Sequence, residues 1–354
     1  MGTNFLILAS TLLLPSFHRD TTHSEQPSHG LGYERLSDLL EYNRVQGLSL
    51  GLGYQAHFPA GATTTVHATV RYGLSDERVT WRVSTAHELG GGRLQASGYY
   101  DVTDVDPLAP GGTFANTMNG LFAGHDNGDY GLTRGGSISW DMPVGTNLLL
   151  QLSARIERQN SGSRTARSAV NDFLGGSGLF PPNPPVTEGT FGGGSLGLSG
   201  LSRFQWKVTA DVLGGSGHAA GRIYGGMGRR WGSAPEIWAR LQAGIGTEPG
   251  LLQTLFRVGG LNTVRGFEYG TQRAPAFWSG QLDVALLGGR VRPLLFLDVG
   301  QASRLTDLVS GPVLVGAGAG ISVLRGLIRF DLSRPVSPDI GGKLRFDLIL
   351  QRLR

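Results

Sequence analysis

From Gly47 onward, apolar and polar positions alternate with a period of two. Between Gly47 and Phe58, the positions Leu48, Leu50, Leu52, Tyr54, Ala56 and Phe58 alternate with Gly47, Ser49, Gly51, Gly53, Gln55 and His57. Successive side chains of a strand point to opposite faces, so this segment has one apolar face and one small or polar face. The pattern recurs. Trp206, Val208, Ala210 and Val212 alternate with Lys207, Thr209 and Asp211, and Ile237, Ala239, Leu241, Ala243 and Ile245 with Trp238, Arg240, Gln242 and Gly244. Leu344, Phe346, Leu348 and Leu350 alternate with Lys343, Arg345 and Asp347. Charges fall in mid-strand on the polar face, so that face meets water; the opposite face is aliphatic and aromatic. The runs last about 9–13 residues, longer than the ~5–6 of soluble strands and suited to a tilted membrane crossing of about 9–11.

The alternation predicts strands over 47–58, 63–73, 77–88, 93–101, 130–141, 146–159, 189–201, 203–214, 219–231, 236–246, 277–287, 291–300, 312–322, 326–333 and 341–350. That is fifteen, and single-chain bacterial barrels have an even number of strands. A sixteenth is therefore expected, either before Gly47 or inside 102–129. Going back from the C-terminus, the links alternate longer and short. Outer-membrane barrels have short periplasmic turns and long outer loops, so the C-terminus is expected on the periplasmic side and 247–276 outside. Residues 160–188, with the run Pro181-Pro182-Asn183-Pro184-Pro185, read as another long outer loop.

Composition decides between two architectures that share this alternation. A soluble sandwich buries the apolar face between two sheets, whereas a membrane barrel turns it to lipid. The chain has 354 residues, 57 glycines, no cysteine and only 16% charged residues, which favours an all-β transmembrane antiparallel barrel of sixteen strands. Without cysteine there is neither disulfide nor thiolate chemistry. The net charge is +4, but the arginines are scattered singly, so no nucleic-acid surface is expected. The apolar stretch Phe5 to Leu14 is too short for a membrane helix, which needs about 20 residues, and resembles the core of a secretory signal. Residues 1–17 therefore read as a signal peptide, 18–41 (with His18, His23 and His29) as a polar linker, and 42–354 as the barrel.

Several short motifs carry no chemistry in this setting. Gly47-x-Ser49-x-Gly51 and Gly193-x-Ser195-x-Gly197 match a nucleophile elbow, but that motif needs a strand-to-helix turn and both serines lie in strand patterns. No catalytic residue is assigned and the chain reads as a non-enzyme. Gly192-x-Gly194-x-x-Gly197 precedes no helix, so no cofactor is expected. His57, His67 and His87 sit on different strands, with nothing to bring them onto a metal. Asp126 and Asp129 read as a solvated loop rather than a calcium site.

One set of motifs has a specific order. Arg257-Val258-Gly259-Gly260 and Val264-Arg265-Gly266-Phe267 lie in the loop 247–276. They are followed by Phe296-Leu297-Asp298-Val299-Gly300, then by Gly316-Ala317-Gly318-Ala319-Gly320 and by Arg329-Phe330-Asp331-Leu332. This order resembles the C-terminal barrel of the bacterial surface antigen superfamily, which includes BamA-type assembly factors and FhaC-type two-partner secretion transporters. Tyr42-Asn43-Arg44-Val45-Gln46-Gly47-Leu48 also resembles the start of some members' barrels.

The resemblance implies that the loop folds inward and that Arg265 pairs with Asp298 in the wall. The alternation is compatible with this: Asp298 falls on the lumen face with Arg292 and Phe296, while Gly316, Gly318 and Gly320 leave room beside it. The tip Arg265-Gly266 is expected against that glycine row. Arg292, Arg329 and Asp331 complete the expected lumen charges, and a network pairing Asp298 with Arg292 or Arg329 is the competing arrangement. The family role implied is insertion or translocation of proteins at the outer membrane, by a monomer contacting lipid bilayer, lipopolysaccharide and client polypeptides. Two departures bear on it. No pattern for the family's periplasmic POTRA domains precedes Gly47, so a POTRA-bearing partner chain is a candidate, and the last aromatic is Phe346 rather than a C-terminal residue. A passive solute pore and a membrane anchor for a multi-part surface system are the alternatives.

Overall fold

The computed structural model describes residues 28–58, 63–108, 114–173, 175–337 and 343–350. The region read as a signal peptide, with His18 and His23, lies outside them. In chain order the elements are β1 (Ser28–Leu31), β2 (Leu40–Asn43), β3 (Gly47–Phe58), β4 (Thr64–Gly73), β5 (Arg78–Leu89), β6 (Gly92–Asp104), α1 (Phe114–Met118), β7 (Tyr130–Val144), β8 (Leu148–Ser161) and α2 (Ala169–Phe173). They continue with β9 (Gly189–Leu201), β10 (Gln205–Gly215), β11 (His218–Trp231), β12 (Glu236–Gly246), a small hairpin of β13 (Phe256–Val258) and β14 (Gln272–Ala274), and β15 (Ala276–Ala285), β16 (Val291–Ser303), β17 (Leu314–Val323), β18 (Ile328–Pro335) and β19 (Arg345–Leu350).

Sixteen strands, β2–β12 and β15–β19, pair antiparallel, each with the next in sequence, as the wall of one barrel. The strand that the alternation misses is β2; the stretch 102–129 holds the end of β6, α1 and a loop. Part of the expected polar linker is also structured. Ser28–Leu31 pairs with Tyr54–His57 and Leu40–Asn43 with Gly47–Leu50. The eight residues 32–39 thus stand opposite only the three residues 51–53 of β3, five more than a continuous strand allows. The excess folds inward, where Gly51 and Gly53 leave space: a Cβ there would strike the carbonyls of Asp38 and Gly32. Arg71 holds the insert by donating to the Ser37 carbonyl at 3.1 Å and pairing with Glu41 and Asp101.

Burial is inverted relative to a soluble protein. Leu52 is 73% exposed and Leu241 58%, whereas Asp298 and Asp331 are fully buried. The polar faces line the interior and the apolar faces look outward. Three long connections, 105–129, 162–188 and 247–275, leave from the same end of the barrel. Their apolar side chains form clusters with inward wall residues; one joins Leu108, Phe256, Val258, Val264, Phe267 and Leu314. The barrel is therefore packed with its own loops at this end, whereas the opposite end has short turns.

Candidate functional site

The site is built on four consecutive strands of the wall, β15 to β18. Asp283 on β15, Asp298 on β16 and Asp331 on β18 all fall on the inward face, and Gly316 on β17 stands directly opposite Asp298. Three like charges in one interior patch are stable only with cations among them. Arg265, carried in by the loop 247–275, supplies one. Its Nε donates to Asp298 Oδ2 at 2.6 Å, Nη2 to Asp298 Oδ1 at 2.6 Å, and its backbone N–H to Asp298 Oδ2 at 2.9 Å. Nη1 reaches Asp283 at 2.9 Å and Asp331 at 3.2 Å. The contact with Asp298 is a bidentate guanidinium–carboxylate pair, the geometry that arginine fits best.

Arg329 supplies the second cation, with Nε donating to Asp331 at 2.7 Å and Nη2 to Asp283 at 2.9 Å. The Phe296 ring lies under both guanidiniums, its centroid 3.8 Å from Arg265 Cζ and 5.5 Å from Arg329 Cζ. Burial works against the Arg265 charge, but Asp283, Asp298 and Asp331 outweigh it and hold the guanidinium well above its ordinary pKa.

Shape matters as much as charge. A Cβ on Gly316 would collide with the Arg265 carbonyl. Gly266 has φ +92 and sits against the backbone of Arg334, so the loop tip needs glycine on both counts. The rest of the glycine row serves other neighbours: Gly318 makes room for the Phe296 ring and Gly320 for the Asp331 carboxylate. Val264 packs over Gly300, and both Val264 and Phe267 belong to the apolar cluster of the loops. Of the expected lumen charges, Arg292 does not join this site. It lies six residues from Asp298 along β16, about 20 Å in an extended strand, and its guanidinium meets Glu236 at 2.5 Å.

Asp126 and Asp129 are not a solvated loop. Both are buried. Asp129 accepts from Arg257 at 2.8 Å and Arg273 at 3.2 Å. Asp126 accepts from the Arg44 backbone N–H at 2.7 Å, Arg44 Nε at 3.2 Å, Asn116 Nδ2 at 2.8 Å and the Tyr130 hydroxyl at 2.7 Å. Tyr269 donates to Asp106 at 2.7 Å. Burial, then the charges of Asp106, Asp104 and Asp129, push its phenol well above the ordinary range, so it stays a donor. These contacts tie the connections 105–129 and 247–275 to the β2–β3 turn. Alternation is silent about them because they join loops; the only local signs were the acidic pair itself and Arg257 beside two glycines.

The closing seam of the barrel, between β2 and β19, is the other unusual feature. The Tyr42 N–H on β2 donates to Thr117 Oγ1 at 3.1 Å. On β19, Leu348 donates its N–H to Asn119 Oδ1 at 2.7 Å and accepts from Asn119 Nδ2 at 2.9 Å. At these positions the two edge strands bond to side chains of the α1 segment and not to each other.

Residues 16–188 match the model for the C-terminal domain of a family of unknown function, DUF5686. No curated protein matches the chain. Among solved structures, BamA from Haemophilus ducreyi lacking POTRA domains 1–3 aligns with a TM-score of 0.60 at 13% identity, over 92% of this chain and 69% of that one. The fold is that of the BamA barrel. CdiB from Acinetobacter baumannii aligns with a TM-score of 0.48 at 12% identity, over 85% of this chain and 56% of that one. CdiB from Escherichia coli aligns at 0.47 and 12%, over 87% and 60%.

Proposed function

We propose that this chain is an outer-membrane barrel that takes part in inserting or translocating polypeptides, and that it does so by parting the wall between β2 and β19. The observation that carries this reading is the seam. Its first strand is interrupted by a five-residue excess, and the Tyr42 and Leu348 backbone groups at the seam are satisfied by Thr117 and Asn119. Strand edges released there are templates for another extended chain. The shared fold with BamA supports the same reading. The packed loop end argues against a passive pore, which needs a continuous water column. Client polypeptides, the outer-leaflet lipid and a periplasmic partner bearing POTRA domains belong to this proposal.

The chain has no cysteine, so engineered pairs are unambiguous. Cysteine pairs scanned across 40–43 and 345–350 are expected to abolish insertion of a reporter barrel into proteoliposomes when oxidised, with recovery on reduction. Full activity with the seam locked sinks the proposal.

A further inference from the structure

The segment that bridges the seam is a short helix, α1, which widens into a π-helical turn over Asn119–Ala123. Thr117 and Asn119 are each 1% exposed. A primary carboxamide carries the same acceptor and donor as a peptide group, and Asn119 uses both on the one residue Leu348. Leu348 stands opposite Phe330 of β18, yet its N–H and C=O go to Asn119, so they point to the free edge of β19. Tyr42 N–H goes to Thr117 in the same way on the other lip.

The segment is held from behind by the outer loops. Asn116 donates to Asp126, which is paired with Arg44, and Ser168 Oγ donates to the Leu121 carbonyl at 2.8 Å. Gly120 lies against the Tyr42 ring.

We propose that Phe114–Ala123 is a latch. It holds the seam shut by filling, with Thr117 and Asn119, backbone positions that an extended polypeptide takes when the seam is open. This rests on the seam reading above and adds its control: opening requires the latch to leave, and its fastenings are all on the loop side.

Hydrogen–deuterium exchange on the full chain in nanodiscs tests it without any client. In the unaltered protein, fragments covering 40–46, 114–123 and 343–350 are expected to exchange together as one opening unit. They should do so faster than fragments of β16 and β17. Asn119→Leu and Thr117→Val, which remove the bridging bonds, are expected to speed exchange at 343–350 and 40–46 about tenfold, as for a lost hydrogen bond or two. The backbone N–H of Arg265 should keep its protection and report an intact fold.

Unchanged exchange at 343–350 in Asn119→Leu overturns the latch. So does seam exchange in the unaltered protein as slow as in β16 and β17, which decides the matter if a variant fails to fold. A peptide with the sequence of Arg345–Leu350, carrying a photo-crosslinker, reads the other question. If exchange rises in the variants but the peptide is never captured at β2, the latch stands and the polypeptide-handling proposal falls.

A second, independent observation concerns the outward face. Arg134 on β7 and Arg158 on β8 stand directly opposite each other, both exposed. They lie on the loop side of an outward apolar band that includes Ile138 and Ile156. Like charges directly opposite destabilise a strand pair, and charge on the lipid face becomes tolerable only near the interface. Among the described residues neither arginine forms an ion pair; the acidic neighbour acting on Arg158 is Glu188, fully exposed. We infer that the two guanidiniums bind a phosphate of an outer-leaflet lipid, the anion that this depth presents and that two arginines grip best.

Mixed micelles of the full chain with diphosphoryl lipid A, or with its phosphate-free analogue, give the test by native mass spectrometry. The expected result is retention of lipid A only, reduced at least fivefold in Arg134→Gln/Arg158→Gln. Equal retention of the two lipids, or no loss in the double variant, overturns the inference. Displacement by millimolar inorganic phosphate does the same, by marking a soluble-anion site.

Discussion

Removal of the Arg265 side chain leaves Asp298 buried without its bidentate partner and leaves Asp283 and Asp331 to share Arg329. Breaking a buried pair from one side costs about 3–5 kcal/mol, so Arg265→Ala is expected to lower unfolding stability by that order in a denaturant titration. Removing Asp298 as well should cost much less than the sum of the two single changes, because the stranded charge is gone. The loop itself should come loose: planar-bilayer conductance is expected to rise strongly in Arg265→Ala. Gly316→Ala acts on the same contact by shape, since its methyl group occupies the place of the Arg265 carbonyl. Exchange at the Arg265 amide should increase in that variant with no change in charge. The identity of this pair was legible through the order of motifs; its reach to Asp283 and the stacking on Phe296 were not, because they depend on how three strands bring their inward faces together.

Among the elements, period-two alternation located the long strands because each has one face in water and one in lipid. It failed at β2 for a physical reason. That strand is four residues long, follows five excess residues that fold inward, and is largely buried, with Glu41 and Asn43 among the polar residues inside. No alternation is required of a strand whose surroundings are protein. Deleting five residues from 32–37 is expected to let β1 and β2 run as one strand against β3, and so to tighten the seam. Slower amide exchange over 40–46 checks this. The short elements inside the loops, α1, β13 and β14, were equally invisible, since their form follows from the cavity that they fill.

The molecule as a whole depends on which medium meets which face. Leu196, midway along β9, is 51% exposed and points outward, and its neighbour Ser195 points inward to hydrogen-bond Ser153 at 2.7 Å. An arginine on the lipid face near the bilayer midplane costs about 2–4 kcal/mol. Leu196→Arg should therefore lower folding stability in lipid vesicles by that order, while Ser195→Asn, one residue away, should change it little. Equal effects at the two positions are incompatible with a lipid-facing exterior.

The sequence by itself determined the all-β class, the long strands, the outward apolar face and the lumen side of Asp298, because each leaves a trace in local alternation. Arg265 was matched to Asp298 only through a family resemblance, and the choice of Arg265 over Arg292 or Arg329 needed the fold. Only the tertiary structure decided the fate of the loops. Asp126 and Asp129 become buried anions, Arg292 stays apart from the inner cluster, and Thr117 and Asn119 come to lie on the two lips of the seam. Those outcomes depend on residues tens to hundreds of positions apart sharing one enclosed space, and no periodicity along a chain records which of its loops will be folded back into its own barrel.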